Sequence, residues 1–154
     1  MTWNAVTPNY FIALARYWTK QQWPLRPPIL DVLLAEAGFS RQDGRYRTGL
    51  PVNQPDLAVI MTNEQDGLDL ISLCLTDTQP NPSPEWDTFI NDAYTSYVFA
   101  GTKLWGKPAL SRSDVASKAR WDLSNGCRLE VAHQRLVVGM SLLSPGYAEA
   151  LRHL

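Results

Sequence analysis

A long apolar stripe with clear ends, at residues 83–106, constrains the fold of this chain more than any other feature. Ser83 can cap a helix and Pro84 suits its first position, while Gly106 and Pro108 can end it. A one-sided helix of this length must cover a sheet or other helices. The apolar positions at helical spacing are Trp86, Phe89, Ile90, Ala93, Tyr94, Tyr97, Val98 and Leu104.

Strand-like segments flank this predicted helix on both sides and are joined by short turns. Within residues 68–76 an apolar face alternates with a mixed one, and Gly67 suits the positive φ of a hairpin turn. Consecutive strands joined by tight turns pair antiparallel. The predicted strands are residues 45–52, 57–62 and 68–76 before the helix, and residues 119–123, 127–133 and 136–143 after it.

Shorter helices are predicted at both ends of the chain. Thr7 and Pro8 begin a first helix that ends near Gln22, and two others cover residues 28–37 and 147–154. The predicted fold is α+β, an antiparallel sheet of about five to six strands with helices on one face, in the order α(α)-βββ-α-βββ-α. The plan of helix and then strands occurs twice, and the length suits one domain of 154 residues.

Targeting and redox features predict a cytoplasmic protein. The first ten residues lack the charged and apolar regions of a signal peptide, and the apolar runs are too short to cross a membrane. We therefore expect no membrane partner. Cys74 and Cys127 lie in apolar stretches and are predicted to be reduced core thiols, with a disulfide between neighbouring strands as the alternative.

No motif in the sequence predicts catalysis, a metal or a cofactor. Neither His133 nor His153 has a partner at metal-ligand spacing, and no phosphate-binding or dinucleotide-binding loop is present. The carboxylates of Asp66 and Asp69 could perform acid–base chemistry only in a buried cleft. We therefore predict a protein that is not an enzyme. A small enzyme with an unrecognised site around His133 is an alternative.

Negative charge is concentrated in one third of the sequence. Residues 48–102, which we call the acidic segment, contain eight acids and no Lys or Arg, although about five bases would be expected in proportion. Residues 1–47 and 103–154 carry net charges of +3 and +4, so the total of −1 conceals this separation. The acids are Asp56, Glu64, Asp66, Asp69, Asp77, Glu85, Asp87 and Asp92.

If the elements of the acidic segment lie side by side in the folded protein, they form an electronegative surface that attracts a basic protein partner and repels nucleic acid. An exposed Trp86 among the acids would be its apolar anchor. The alternative is a composition effect, because turns and helix starts favour carboxylates for local reasons. The predicted partner-binding residues are Glu64, Asp66, Asp69, Asp77, Glu85, Trp86 and Asp87.

A basic cluster follows the acidic segment in the sequence. We expect this cluster to lie near the acids in the fold and to balance their charge. Its members are Lys103, Lys107, Arg112, Lys118 and Arg120.

The last third of the chain resembles a known group of proteins. Its features, within residues 104–150, are Gly106-Lys107-Pro108, Arg120-Trp121-Asp122, the turn Asn125-Gly126, two strands and Ser144-Pro145-Gly146-Tyr147-Ala148. This segment is similar to small actinobacterial proteins that accompany secreted-toxin genes, and thereby to the immunity proteins of bacterial polymorphic toxins. The resemblance implies a small cytosolic inhibitor whose acidic face blocks the basic active-site cleft of a cognate toxin.

A second resemblance concerns the order of the elements. Type III secretion chaperones are small α+β proteins of similar length that form dimers and wrap an unfolded segment of an effector. The order of helix, three strands, helix, strands and helix is similar to theirs, although this chain has an additional early helix. The resemblance implies a dimeric chaperone or adaptor as the alternative function.

Overall fold

The computed structural model describes residues 2–154, which form one eight-stranded antiparallel sheet and four helices. The predicted α+β class with a single antiparallel sheet is confirmed. In chain order the elements are α1 (Pro8–Thr19), α2 (Ile29–Glu36), β1 (Ser40–Gln42), β2 (Arg45–Arg47), β3 (Asp56–Ile60), β4 (Leu70–Cys74), α3 (Pro84–Trp105), β5 (Ala109–Arg112), β6 (Ala116–Asp122), β7 (Arg128–Gln134), β8 (Val137–Leu143) and α4 (Pro145–Arg152).

The sheet consists of two four-stranded meanders joined at their last strands. Its strand order is β1-β2-β3-β4-β8-β7-β6-β5. In each half the strands follow chain order from one edge of the sheet to its centre. Each meander follows a helix, so the repeated plan seen in the sequence corresponds to two α-ββββ halves. At the junction Ser72 lies opposite Ser141, and their hydroxyl oxygens are 3.2 Å apart.

The prediction of five to six strands is wrong because both edge strands were missed. All side chains of β1 and β5 are exposed, so neither strand has the alternation of buried and exposed positions that identifies a strand in a sequence. The predicted first strand, residues 45–52, is also shorter than expected. It ends at Arg47, and Gly49 adopts a positive φ of 70° two residues later.

Helix α3 begins and ends where the sequence predicts. The Ser83 side chain accepts a hydrogen bond from the Trp86 amide at 3.1 Å, and Gly106 ends the helix with a φ of +87°. Helix α3 packs on α1 and on strands β7 and β8. Halfway along it, the buried Tyr97 hydroxyl donates to the carbonyl oxygen of Val6 at 2.6 Å. The helix therefore fixes both the sheet and the N-terminal segment.

The two faces of the sheet differ in composition. Large apolar side chains fill the helix-facing side, which includes Ile71, Leu73, Leu129, Val131, Met140 and Leu142. The opposite side alternates with them and carries small or polar residues, which include Ala58, Ser72, Ala132, Gly139 and Ser141. A sheet covered by helices on one side only is expected to show this alternation.

Both cysteines are free thiols, and burial raises the pKa of the Cys127 thiol to about 11. Within residues 2–154 no helix combines the length and the apolarity needed to span a membrane.

Asp77 is buried where the chain leaves the sheet after β4. Its carboxylate accepts hydrogen bonds from the backbone amides of Asn4, at 2.8 Å, and Asn53, at 2.9 Å. These bonds join the N-terminal segment and the loop before β3 to the central strand. Hydrogen bonds to a charged acceptor stabilise a fold by roughly 1.5–3 kcal/mol, more than neutral ones.

We expect Asp77→Ala to lower the free energy of unfolding by about 2–3 kcal/mol, because the backbone amides of Asn4 and Asn53 would both lose their charged acceptor. Asp92→Ala removes an exposed acid of the same segment and should change stability by less than about 0.5 kcal/mol. Urea denaturation of both variants measures the difference. Equal stability of the two variants would contradict this role of Asp77.

Candidate functional site

The acidic segment does not fold into one surface. Glu64, Asp66 and Asp69 belong to the turn between β3 and β4, whereas Glu85 and Asp87 begin α3, which follows the other end of β4. The five residues of β4 separate these ends, which amounts to roughly 17 Å of extended chain. The single acidic docking surface predicted from the sequence is therefore divided into two patches.

Trp86 is not the exposed anchor that the sequence analysis predicts. It is fully buried, its ring lies 5.2 Å from that of Trp3 in an edge-on arrangement, and its indole N–H donates to the Arg135 carbonyl at 2.9 Å. Asp77 is likewise buried, with both carboxylate oxygens occupied by backbone amides. These two residues stabilise the fold and present nothing to a partner.

The charge of the acidic segment remains largely uncompensated. Among the described residues, Asp87 is the one member of the segment in an ion pair, at 3.7 Å from Arg135. No member of the basic cluster forms an ion pair with any acid in residues 2–154. Two members of the cluster still lie near acids of the segment, since Arg112 lines the same surface cavity as Asp87, and Lys118 the same cavity as Asp56. Negative charge is left exposed at the β3–β4 turn and at the start of α3.

The β3–β4 turn, Thr62–Asp69, is the more tightly structured of the two patches, and we call it the acidic turn. The Asp69 carboxylate accepts from the Thr62 amide at 2.9 Å and from the Thr62 hydroxyl, which closes the base of the turn. At the tip, the Asn63 side chain accepts from the Asp66 amide at 2.7 Å and donates to the Asp66 carboxylate at 2.8 Å. The polar side chains thus hold the backbone in one conformation.

The acidic turn also rests on the loop between α1 and α2. The Leu68 amide donates to the Leu25 carbonyl at 2.9 Å, and Arg26 Nε donates to the Gln65 carbonyl. Gly67 lies so close to this loop that a Cβ atom there would be 2.5 Å from the Leu25 oxygen. Glu64 is exposed in the middle of the turn, and its side chain forms no ion pair or hydrogen bond with residues 2–154.

A cleft of about 700 Å³ lies beside the acidic turn. Its walls come from distant parts of the chain, which include Trp23, Arg26, Asp66, Asp69, Asn125 and Tyr147. The two aromatic side chains and Arg26 were not predicted as site residues, because the α1–α2 loop and helix α4 that carry them are far from the acidic segment in sequence. No local pattern marks them, since only the packing of α4 and the α1–α2 loop brings them together.

The surroundings of His133 differ from those of a catalytic histidine with a buried carboxylate partner. The imidazole is partly buried against the Tyr94 ring, at 5.1 Å between ring centres. Burial lowers the pKa of His133, and the negative charge of Asp87 opposes this shift. The Asp87 side chain is 47% exposed and already pairs with Arg135. Within residues 2–154 no three metal-ligating side chains converge.

A model of the family described as "Family of unknown function (DUF6301)" matches residues 10–144. No curated protein and no solved structure matches the chain.

We expect Gly67→Ala to destabilise the protein more than Gly44→Ala. Both glycines have a φ of +77°, so both substitutions incur the cost of a left-handed backbone, roughly 1–2 kcal/mol. A Cβ atom at position 67 would in addition collide with the Leu25 carbonyl, while a Cβ at position 44 would have no described atom within 4 Å apart from those of its own and the two adjacent residues. Denaturant unfolding measures the difference, and equal losses would contradict the close seating of the acidic turn.

We expect His133 to reduce stability as the pH falls. Because burial lowers its pKa in the folded state, the unfolded chain binds the proton more readily. The free energy of unfolding should therefore decrease as the pH falls through the ordinary histidine value of about 6.5, and should level off below the lowered pKa. His133→Gln should remove this component, whereas His153→Gln, which removes an exposed histidine that contacts Glu149, should leave the component in place. Identical pH dependences for wild type and His133→Gln would contradict the prediction.

Proposed function

The chain belongs to DUF6301, a family of unknown function, and we propose that it is an immunity protein that neutralises a bacterial toxin domain by binding. In this role the acidic turn enters or covers the basic active-site cleft of the toxin. The protein acts in the cytoplasm, contributes no catalytic group and needs no cofactor. The partner is a protein with a basic surface.

The observation that carries this proposal is a hydrogen-bonded turn whose carboxylates form no ion pair among the described residues, although Arg26 Nε donates to the Gln65 carbonyl within it. Hydrogen bonds from Thr62 and Asn63 fix the turn, and its seating on Leu25 fixes its direction. A surface ordered before binding loses little conformational entropy on association. The exposed carboxylates of Glu64 and Asp66 can then attract a basic cleft and increase the rate of association.

The apolar part of the proposed interface is the cleft beside the turn. Trp23 and Tyr147 line this cleft next to Asp66, so aromatic and acidic groups are adjacent there. Aromatic side chains at the centre of an interface often contribute most of its binding energy. The resemblance of residues 104–150 to immunity proteins supports the same class of function.

The chaperone or adaptor hypothesis differs from this proposal in its oligomeric state. A secretion chaperone of the type considered would be a stable dimer, whereas an immunity protein that uses the acidic turn needs no second copy. Size-exclusion chromatography with light scattering separates the two hypotheses. A stable dimer that binds unfolded peptide would favour the chaperone.

The test begins with the neighbouring gene, which under this proposal encodes a large secreted protein with a toxic C-terminal domain, and it uses that domain as the partner. Co-expression should restore growth of cells that produce the toxic domain, and surface plasmon resonance should detect a complex. We expect Glu64→Lys to slow association by about tenfold at low ionic strength, because it reverses a charge at the tip of the turn.

Asp92→Lys is the matched control, since it makes the same change in net charge at an exposed position on α3. It should alter the association rate much less than Glu64→Lys. Equal effects of the two variants would show that total charge acts and not the acidic turn. Failure of the wild-type protein to bind or neutralise the domain would contradict the proposal itself.

A further inference from the structure

Three exposed apolar side chains lie around the edge strand β5. Leu110 is 68% exposed, Val115 is 78% exposed and Phe99, on the neighbouring helix α3, is 62% exposed. Among the described residues, only the C-terminal Leu154 is a more exposed large apolar side chain than these. Phe99 and Leu110 line the same groove, whereas Val115 lies in the β5–β6 turn. Exposed apolar residues on a monomeric protein are normally scattered, and clusters often mark binding sites.

The strand register explains why Leu110 is exposed. It pairs with Ala119, which is fully buried beneath the helices, so Leu110 also points to the helix side of the sheet. Helix α3 does not extend over this last strand, and a groove of about 560 Å³ remains between them. Val98 and Phe99 form the helix wall of this β5 groove, and Leu110 forms its floor.

The backbone of β5 is available for further strand pairing. The Ser113 amide donates to the Ala116 carbonyl at 2.8 Å, so Ser113 and Ala116 form a hydrogen-bonded pair of the hairpin. Hydrogen-bonded and non-hydrogen-bonded pairs alternate in an antiparallel ladder. The N–H and C=O groups of Arg112 and Leu110 must therefore point outward, away from β6. These groups form a template for an additional strand.

Positive charge surrounds the same edge. Arg112 and Lys118 line the β5 groove, no acid among the described residues does so, and Lys107 precedes the strand by two residues. Lys103 Nζ lies 4.9 Å from the centre of the Phe99 ring. None of these cations is in an ion pair within residues 2–154. The nearest acid in sequence is Asp114, in the β5–β6 turn.

We propose that the β5 groove binds an extended, acidic segment of a partner protein, which adds to the sheet as a strand beside β5. Alternate apolar side chains of this segment fill the groove against Phe99 and Leu110. The intervening carboxylates lie on the other face of the sheet, where Lys118 pairs with Ser111 and borders both the groove and a second cavity that Asp56 and Glu130 also line. Main-chain hydrogen bonds supply affinity in this mode of recognition, and alternate side chains supply specificity.

Charge distinguishes this occupant from two others. A second copy paired through β5 would bring Lys103, Lys107 and Arg112 of both copies together, and like charges at an interface oppose association. A nucleic acid would satisfy the cations, but it has neither the strand backbone nor the aliphatic side chains that the edge and the groove fit. An acidic polypeptide matches the free strand edge, the apolar groove and the surrounding cations.

This inference is independent of the proposed immunity function. Four strand positions separate β4, next to the acidic turn, from β5, a distance of about 19 Å at the usual strand spacing. The two surfaces also select partners of opposite charge. Loss of binding at one surface should leave the other intact.

The experiment uses the full chain, labelled with ¹⁵N, and two short synthetic peptides. One peptide alternates valine with glutamate, and the other has lysine in place of each glutamate. We expect the acidic peptide to bind at concentrations up to about 1 mM and to shift the amide signals of Leu110 and Arg112. The lysine peptide should not bind. Fluorescence anisotropy of labelled peptides gives the affinities.

Two variants separate the groove from the strand edge. Phe99→Ser should weaken binding of the acidic peptide by at least about tenfold, because a large apolar contact is lost. Its matched control is Tyr10→Ser, which removes an exposed aromatic side chain from α1 and should leave the affinity unchanged. Leu110→Pro removes an outward N–H that forms no bond within the sheet, so the thermal melting of the variant should match wild type while its peptide affinity falls by at least about fivefold.

Several results would overturn the proposal. They are equal binding of both peptides, no binding of the acidic peptide, or an affinity unaffected by Phe99→Ser. Dimerisation of the wild type that Leu110→Pro abolishes would assign the edge to a second copy. A short oligothymidylate that shifts the Leu110 and Arg112 amides as strongly as the acidic peptide would assign it to nucleic acid.

Discussion

The antiparallel pairing of β4 with β8 is the interaction on which the rest of the structure depends. It joins two meanders that otherwise belong to separate parts of the chain, over the register from Leu70 opposite Leu143 to Cys74 opposite Gly139. The contact continues beyond the strands, where the Leu75 amide donates to the Val138 carbonyl and the Val138 amide donates to the Thr76 hydroxyl. One continuous sheet results, and α1 and α3 can then bury their apolar sides together on one face of it.

This central pairing also decides where the charged groups lie. The acidic turn precedes β4, and the linker to α3 follows it, so an extended strand holds the two groups of carboxylates apart. Trp86 and Asp77, which follow β4, are drawn into the core because they connect α3 and the N-terminal segment to the sheet. Neighbours along the sequence therefore have different roles: Asp66 is exposed in a turn, whereas Asp77 is a buried acceptor.

The structure presents two surfaces that the proposals above assign to binding of other proteins. A fixed acidic turn and a cationic, apolar strand edge lie on different parts of the molecule, and each is a type of surface that proteins use for recognition. The histidine that could support catalysis faces a partly exposed carboxylate already paired with an arginine. The open edge of β5 also needs an explanation, since a free strand with apolar neighbours is prone to unwanted pairing. The cations around it oppose pairing with a second copy, and the acidic strand that we propose would satisfy the edge.

The sequence by itself determined the helices, the strong central strands and the α+β class, because capping residues, helical periodicity and alternation are local signals. The sequence also contained one overlooked sign of the β5 groove. Phe99 lies outside the apolar stripe of α3, so its side chain could not be buried with that stripe against the sheet. Only the tertiary structure decided that the acids form two patches, that Trp86 is buried, and that Trp23 and Tyr147 line a cleft beside Asp66. Edge strands were invisible in the sequence because exposed strands bury no side chains. The division of the acids and the make-up of the cleft depend on which strand lies beside which, and strand pairing is set by contacts between residues far apart in the chain.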